Sequence, residues 1–283
     1  MQRLGLILVT IAALAWSTSG LFTRSLALDA LTILFWRELF GAVGLLALLA
    51  VLPATGGLDS LRRLRGPGLA YSGVTALSML LFISALLTTS VAHVAILTAT
   101  VPFFAGFLGW ILLAERPAGS ALLASLAALA GVVLMTGLGT EGTWDGDTLA
   151  LLMALSMGGM ILIARRNPGI PALAATCVAS GIGALAVLPF ATLDIGAADL
   201  AKLAAFALVN QVLGFGAFAI GARYLPPMQS ALITALDAPL APLWVWLVFA
   251  ETPSPATLAG GIIVFAAVVW HLRHDARSRA AKA

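Results

Sequence analysis

Of the 283 residues in this chain, 61% are hydrophobic and only 10% are charged, whereas a soluble domain carries roughly 25% charged residues, so water is not its main solvent. Lysine and arginine number 15 against 12 aspartates and glutamates, for a net charge of +3. Those bases sit singly or in small groups between apolar runs, which argues against a nucleic-acid partner, and the single cysteine, Cys177, rules out an intramolecular disulfide framework.

A bilayer core about 30 Å thick takes roughly 20 apolar residues per helix at ~1.5 Å per residue. Ten uncharged runs of about that length can be drawn, over residues 4–23, 30–51, 68–88, 92–113, 118–138, 148–164, 171–191, 202–221, 227–249 and 255–272. The expected fold is therefore an all-α integral membrane protein, one membrane domain over residues 1–283 with ten transmembrane helices. The longest polar gap, Pro53 to Arg65, is too short for a separate domain.

In chain order, the first run carries "WSTSG": Trp16 is suited to an aromatic cavity wall, while Ser17, Thr18 and Ser19 can either face a ligand or bond their own helix. In the second, Arg37 and Glu38 lie about two turns from the end. Arg37 either snorkels or takes a carboxylate, and a place at a gate follows from either role. The third run offers Thr75, Ser78 and Phe82 at a spacing that shares one helical face, and the eighth offers Gln211, Gly214 and Phe218 at the same spacing. Both trios read as walls of a substrate cavity or as helix packing surfaces. Asn210 and Gln211 are adjacent, so at most one of them faces the cavity.

The fourth run opens with His93 and contains Thr98, Thr100 and Pro102; the ninth opens with Gln229 and contains Thr234, Asp237, Pro239 and Pro242. His93 and Gln229 are gating candidates, the alternative for each being a structural role. Pro102, Pro239 and Pro242 are expected hinges, because each removes a backbone donor and clashes with the preceding turn. Asp237 lies ten residues into its run, ~15 Å deep at ~1.5 Å per residue. At that depth a carboxylate holds a proton or a partner. It is the candidate for proton coupling or for contact with a substrate ammonium, unless it only braces the prolines. The fifth and tenth runs carry small-residue faces (Ala124-x3-Ala128, Ala127-x3-Gly131, Ala256-x3-Gly260) suited to packing on each other or on a second copy, so a monomer or weak homodimer is expected.

Sorting the bases by side places Arg3, Arg62, Arg63, Arg65, Arg116, Arg165, Arg166, Arg223, Arg273, Arg277, Arg279 and Lys282 with the amino terminus, against Arg24, Arg37 and Lys202 opposite. The positive-inside rule then puts both termini in the cytoplasm of a cell (inner) membrane, with residues 273–283 as a basic cytoplasmic tail.

The chain also repeats itself. A shift of 136 brings "GWILLAERP" at 109–117 onto "VWLVFAETP" at 245–253, matching Trp110 with Trp246, Ala114-Glu115 with Ala250-Glu251, and Pro117 with Pro253. In the earlier runs a shift of 141 aligns Gly5 with Gly146 and Arg24 with Arg165. Residues 1–138 and 142–272 thus form two five-helix repeats, and residues 1–23 are expected to be a retained helix rather than a cleaved signal. Because five is odd, the second repeat enters the membrane inverted, an arrangement recurrent in secondary transporters with a midplane site between the halves. In each Ala-Glu-x-Pro, proline is expected to start the next helix, and the glutamate to cap a helix start or to form a gating salt bridge.

The stretch "AALAWSTSGLFTRSLALDALTILFWRELFGAVGLL", with Trp16 and Arg37, and the paired "P…AERP" and "P…AETP" phrases resemble EamA-type carriers of the drug/metabolite transporter superfamily. Within it, the ten-span amino-acid exporters, aromatic ones included, are the closest likeness. The resemblance implies a pseudosymmetric ten-helix bundle with a central cavity from helices one, three, four, six, eight and nine, supported by five and ten. The chain lacks H-E-x-x-H, Walker and D-D-x-x-D motifs. No metal or cofactor is therefore expected, and the partners are the lipid bilayer and a small-molecule substrate. The expected function is not enzymatic: alternating-access export of small metabolites, foremost neutral or aromatic amino acids. The alternatives are a multidrug or nucleotide-metabolite carrier and, in a different class, an intramembrane enzyme.

Overall fold

The computed structural model describes residues 1–51, 57–89, 91–137, 143–250 and 252–280. Among them there is no strand, and ten helices are long and apolar enough to cross a membrane. They are α1 (Gln2–Arg24), α2 (Ala30–Val51), α3 (Pro67–Thr88), α4 (His93–Leu113), α5 (Gly119–Thr136), α6 (Trp144–Arg166), α7 (Ala172–Phe190), α8 (Ala197–Tyr224), α9 (Pro227–Phe249) and α10 (Pro255–Ser278). With an even number of crossings the two chain ends share one face, called here the terminal face; the other is the distal face.

Local chemistry sets the helix ends. The Thr143 hydroxyl accepts from Gly146 N at the start of α6 (3.2 Å), with Asp145 and Asp147 in the first turn and Arg165 and Arg166 in the last, each charge opposing the helix dipole. Before α2, Asp29 accepts from Thr32 N (2.9 Å) and from Thr32 Oγ1 (2.6 Å), and that hydroxyl in turn accepts from Thr192 N (2.9 Å). These bonds from Thr32 hold the Asp29 carboxyl below its ordinary value.

The repeated Ala-Glu-x-Pro phrase stops its helix by a different device from the expected one. Ala114 and Ala250 both take φ 55°, the left-handed conformation that L-residues with a Cβ seldom adopt. At the first of these turns Glu115 N bonds back to Gly109 O (3.1 Å), and at the second Ala250 N bonds to Trp246 O (2.9 Å). The following helices begin at Gly119 and Pro255, so Pro117 and Pro253 occupy the connections instead of starting helices. Glu251, Lys282 and the repeat boundaries at 138 and 142 lie outside the described residues.

Three spans are interrupted. α4 divides into Val91–Thr98 and Val101–Leu113, and α9 into Pro227–Thr234 and Asp237–Phe249; the breaks fall at equivalent positions of the two repeats. Pro102 stands in the first turn after its break, but the α9 break precedes Pro239, and Pro242 lies inside the second helix. α1 is interrupted at Thr18.

Packing crosses the repeats. α6 lies on α3 and α4, with Gly146 against Thr88 and Thr89 and Gly158 against Phe104 and Ala105; α1 lies on α8, with Gly5 and Gly221 at the contact. α5 and α10 pack through Gly131 and Gly260, where a Cβ on Gly131 would stand 2.7 Å from the Gly260 carbonyl. Gly260→Val is therefore expected to lower stability by about 1–3 kcal/mol through overpacking, read as thermal unfolding of the purified protein in detergent. An unchanged midpoint would refute this contact. The lowered Asp29 carboxyl gives a second expectation. Its contribution is fully present above the ordinary carboxylate range and fades as pH falls through the lowered value, so Asp29→Asn should flatten the acid limb of the stability–pH curve and leave the neutral limb's slope alone.

Candidate functional site

Between the two repeats lies a cavity of about 430 Å³. Its walls come from α1, α3, α4, α6, α8 and α9, with Arg37 of α2 and Val132 of α5 at the margin. Most of the lining is apolar: Met79, Phe82, Met153, Met157, Met160 and Phe215 supply the bulk. Among the lining residues Arg37 and Asp237 alone carry formal charges.

The expected residues of α1 and α3 all reach the cavity: Trp16, Ser17, Thr75, Ser78 and Phe82. Trp16 Nε1 donates to Asn210 O (3.3 Å), and its ring rests 4.8 Å from that of Phe215 and 5.1 Å from that of Phe218. Ser17 donates to Leu14 O (2.7 Å) and accepts from Trp244 Nε1 (2.8 Å), tying α1 to α9. The Thr75 hydroxyl is buried without a hydrogen-bond partner.

The α8 trio is placed differently. Gln211 is fully buried away from the cavity, where Nε2 donates to Glu38 Oε2 and to Ser180 Oγ (3.1 Å). Gly214 backs the Trp16 indole, whose Nε1 a Cβ would approach at 2.8 Å, and Phe218 is buried behind the same ring. The reason is a π-helix over Leu208–Phe215. A face drawn on 3.6-residue spacing fails where the turn widens, and the residues delivered to the cavity are Asn210 and Phe215, five apart. Asn210 is held rigidly: Oδ1 accepts from Ser19 (2.7 Å), and Nδ2 donates to Ala15 O (3.0 Å) and Thr18 Oγ1 (3.3 Å). Of the adjacent amides, one faces the cavity and the other bonds a neighbouring helix.

Arg37 and Glu38 are a buried pair, with Nη2 2.8 Å from Oε1 and side chains 14% and 0% exposed. The guanidinium also lies 5.5 Å from the Phe206 ring centre, and its Nε has no hydrogen-bond partner. Arg37 thus stays inside the protein instead of snorkelling. Asp237, the first residue after the α9 break, faces the cavity. An interrupted helix can present polar backbone and a charge at membrane depth because the break lines a cavity.

His93 and Gln229 lie outside this cavity. At the distal face His93 Nδ1 is 3.0 Å from both carboxylate oxygens of Asp147, which also accepts from Thr89 Oγ1 (2.9 Å). At the terminal face Gln229 Nε2 donates to Asp275 Oδ2 (3.1 Å). Nearby, Arg165 bonds Glu115 through Nε (3.1 Å) and Nη2 (3.0 Å), and donates from Nη1 to Arg223 O (3.2 Å). Glu115 therefore makes a salt bridge to the end of α6. Sequence reasoning missed Asp147, Asp275 and the methionines of α6. The methionines were findable, since Met153, Met157 and Met160 recur at helical spacing.

Two inverted halves of five membrane helices, enclosing a small and largely apolar cavity with isolated charges, define a multi-span membrane protein of the carrier class. The sequence profile of the EamA-like transporter family matches residues 3–137 and again 144–273, and the chain belongs to that family. An uncharacterized transporter of Archaeoglobus fulgidus is 25% identical over 273 residues, covering 95% of this chain and 96% of its own. A solved crystal structure superposes with a TM-score of 0.80 at 18% identity, covering 95% of this chain and 96% of that one, which establishes the shared fold. Family and relative alike point away from an enzyme.

The buried pair gives a direct test of the site's electrostatics. Glu38→Gln leaves the Arg37 charge unpaired and should cost about 3–5 kcal/mol, whereas Arg37→Gln combined with Glu38→Gln should cost clearly less than the two single changes together. Additive losses in a double-mutant cycle of thermal stability would mean that the two groups do not support each other.

Proposed function

We propose that this protein is a secondary transporter that exports small metabolites, foremost neutral or aromatic amino acids, by alternating access through the central cavity. The observation that carries the reading is one cation and one carboxylate, Arg37 and Asp237, in a cavity otherwise walled by Trp16, Phe82, Phe215 and methionines. A zwitterion with an apolar side chain complements that distribution: its carboxylate is drawn to Arg37, its ammonium to Asp237, and its side chain to the aromatic and thioether surface. Family membership supports the transport class, and the resemblance to ten-span amino-acid exporters supports the substrate. Thr75, Ser78 and Asn210 orient the ligand.

In this reading both termini are cytoplasmic in the cell membrane, as the distribution of basic residues favours. His93–Asp147 fastens the outer ends of α4 and α6, and Glu115–Arg165 with Gln229–Asp275 fastens the inner face. Opening either face means breaking one set while the other holds. The breaks in α4 and α9, with the adjacent prolines, supply the hinges.

Asp237 exchanges a proton for the substrate ammonium. Purified protein in liposomes should accelerate exchange of neutral or aromatic amino acids, and an imposed pH gradient should drive their accumulation. Asp237→Asn should lose the gradient-driven accumulation and, because the carboxylate also holds the substrate ammonium, weaken exchange. A mutant that keeps both would remove Asp237 from coupling, and a wild type indifferent to the gradient would leave facilitated diffusion. Failure of every amino acid while cationic drugs or nucleosides move would transfer the substrate to a multidrug or nucleotide-metabolite class.

A further inference from the structure

The Arg37–Glu38 pair is one end of a chain of polar groups that runs across three helices. Glu38 Oε1 accepts from Arg37 Nη2 (2.8 Å), and Glu38 Oε2 accepts from Gln211 Nε2, which also donates to Ser180 Oγ (3.1 Å). Glu38, Gln211 and Ser180 are all fully buried. α2, α7 and α8 close tightly around them: a Cβ on Gly41 would stand 2.7 Å from Gln211 Cβ, and one on Gly183 would stand 3.4 Å from Glu38 Cγ. The neighbours also fix the orientation of the amide, because an oxygen in place of Nε2 would confront the Glu38 carboxylate.

A carboxylate and a guanidinium pair most strongly when two oxygens meet two N–H groups. Here the pair stops at one bond. Nε and Nη2 are the two arms on one edge of the guanidinium; Nη2 is on Glu38, while Nε is buried with no hydrogen-bond partner. The oxygen that would close the fork, Oε2, is the one that Gln211 holds. A buried N–H of a cation without an acceptor is costly, so something must keep the fork open, and Gln211 does so. No other acid takes the idle arm. Of the helices packed against α2, α3 and α7 carry no aspartate or glutamate, and Asp199 of α8 accepts from Lys202 (3.0 Å). Arg37 is at the same time a lining residue of the central cavity. A half-paired guanidinium keeps a donor and part of its field for a second carboxylate, whereas one closed on Glu38 does not.

We propose that Gln211, which lies outside the lining of the cavity, determines its selectivity for ligands that carry a carboxylate: by holding Oε2 it limits Glu38 to a single bond with Arg37 and leaves the guanidinium able to take the ligand. Gln211 is thus a positioning residue that acts through Arg37. The π-helix of α8 serves both ends at once, since it turns Asn210 to the cavity and Gln211 to Glu38. The inference rests on the reading above that a ligand carboxylate is drawn to Arg37.

The test compares two probes on purified full-length protein in detergent, with affinities taken from saturation-transfer NMR titrations of their ring protons. One is phenylalanine; the other is phenylethylamine, which keeps the ring and the ammonium and lacks the carboxylate. The wild type should bind phenylalanine the more tightly. Gln211→Met is close in length but has no donor, so Glu38 closes on both arms of Arg37. It should weaken phenylalanine binding about tenfold, the equivalent of one charge-assisted hydrogen bond, and leave phenylethylamine binding unchanged. Ser180→Ala removes the second anchor of Gln211 and should give a smaller loss of the same kind, so the test still stands if Gln211→Met does not fold. Adding Glu38→Gln to Gln211→Met removes the competing carboxylate and should restore phenylalanine binding in the folded protein. Variants that keep the wild-type preference, that lose both probes equally, or that are not rescued by Glu38→Gln would each overturn the proposal alone. A wild type with no preference for phenylalanine would sink the reading of the central cavity as well, which tells the two failures apart.

Discussion

Inside a bilayer no water is available to rescue an unpaired charge or a broken backbone hydrogen bond, and this scarcity governs the arrangement of nearly every polar group in the protein. Glu38 is fully buried, yet its carboxylate takes the Arg37 guanidinium on one oxygen and the Gln211 amide on the other. Ser17 and Thr18 each donate to a carbonyl of their own helix, and Ser19 donates to Asn210 Oδ1. Where the backbone breaks, in α4 and α9, the residues beside the break line the central cavity. Asp237 is the one carboxylate among the residues that line the cavity, which is why it attracts a functional reading.

The same scarcity shapes how the two repeats join. One polar clasp at each face links one half of the chain to the other: His93 of the first half to Asp147 of the second, and Arg165 of the second to Glu115 of the first. α6 is therefore held at both ends to α4, and α1 is bound to α8 and α9 through Asn210 and Trp244. The packed groups are not the repeats themselves but mixtures of the two. Inverted repeats exchange partners in this way because matching faces meet across the pseudo-axis, and so the cavity sits at the seam.

Much was legible in the sequence because its physics is local. Span length, the odd repeat, and the trio Thr75, Ser78 and Phe82 follow from apolar run length and 3.6-residue spacing, and α3 is an uninterrupted α-helix on which that spacing holds. The equivalent trio on α8 was misplaced for the same reason in reverse. A π-helix at 208–215 changes the spacing, and nothing in "LVNQVLGF" announces it. The Ala-Glu-x-Pro turns are intermediate. Their position was plain, but proline was the visible breaker, while the chain reversal rests on alanine at positive φ.

The sequence by itself determined the solvent, the number of crossings and the duplicated plan, since each depends on composition or on residues close together along the chain. It also placed Asp237 ten residues into its span, since position along a helix is a count of residues from the helix start. Tertiary structure alone decided which of Asn210 and Gln211 faces the cavity, that Arg37 is turned inward to Glu38 and Phe206, and which carboxylates meet His93, Gln229 and Arg165. Those outcomes depend on contacts between residues up to nearly two hundred positions apart, as with Trp16 and Asn210, 194 apart. No local pattern encodes such contacts, because the partner of a buried polar group is set by which helix happens to pack beside it.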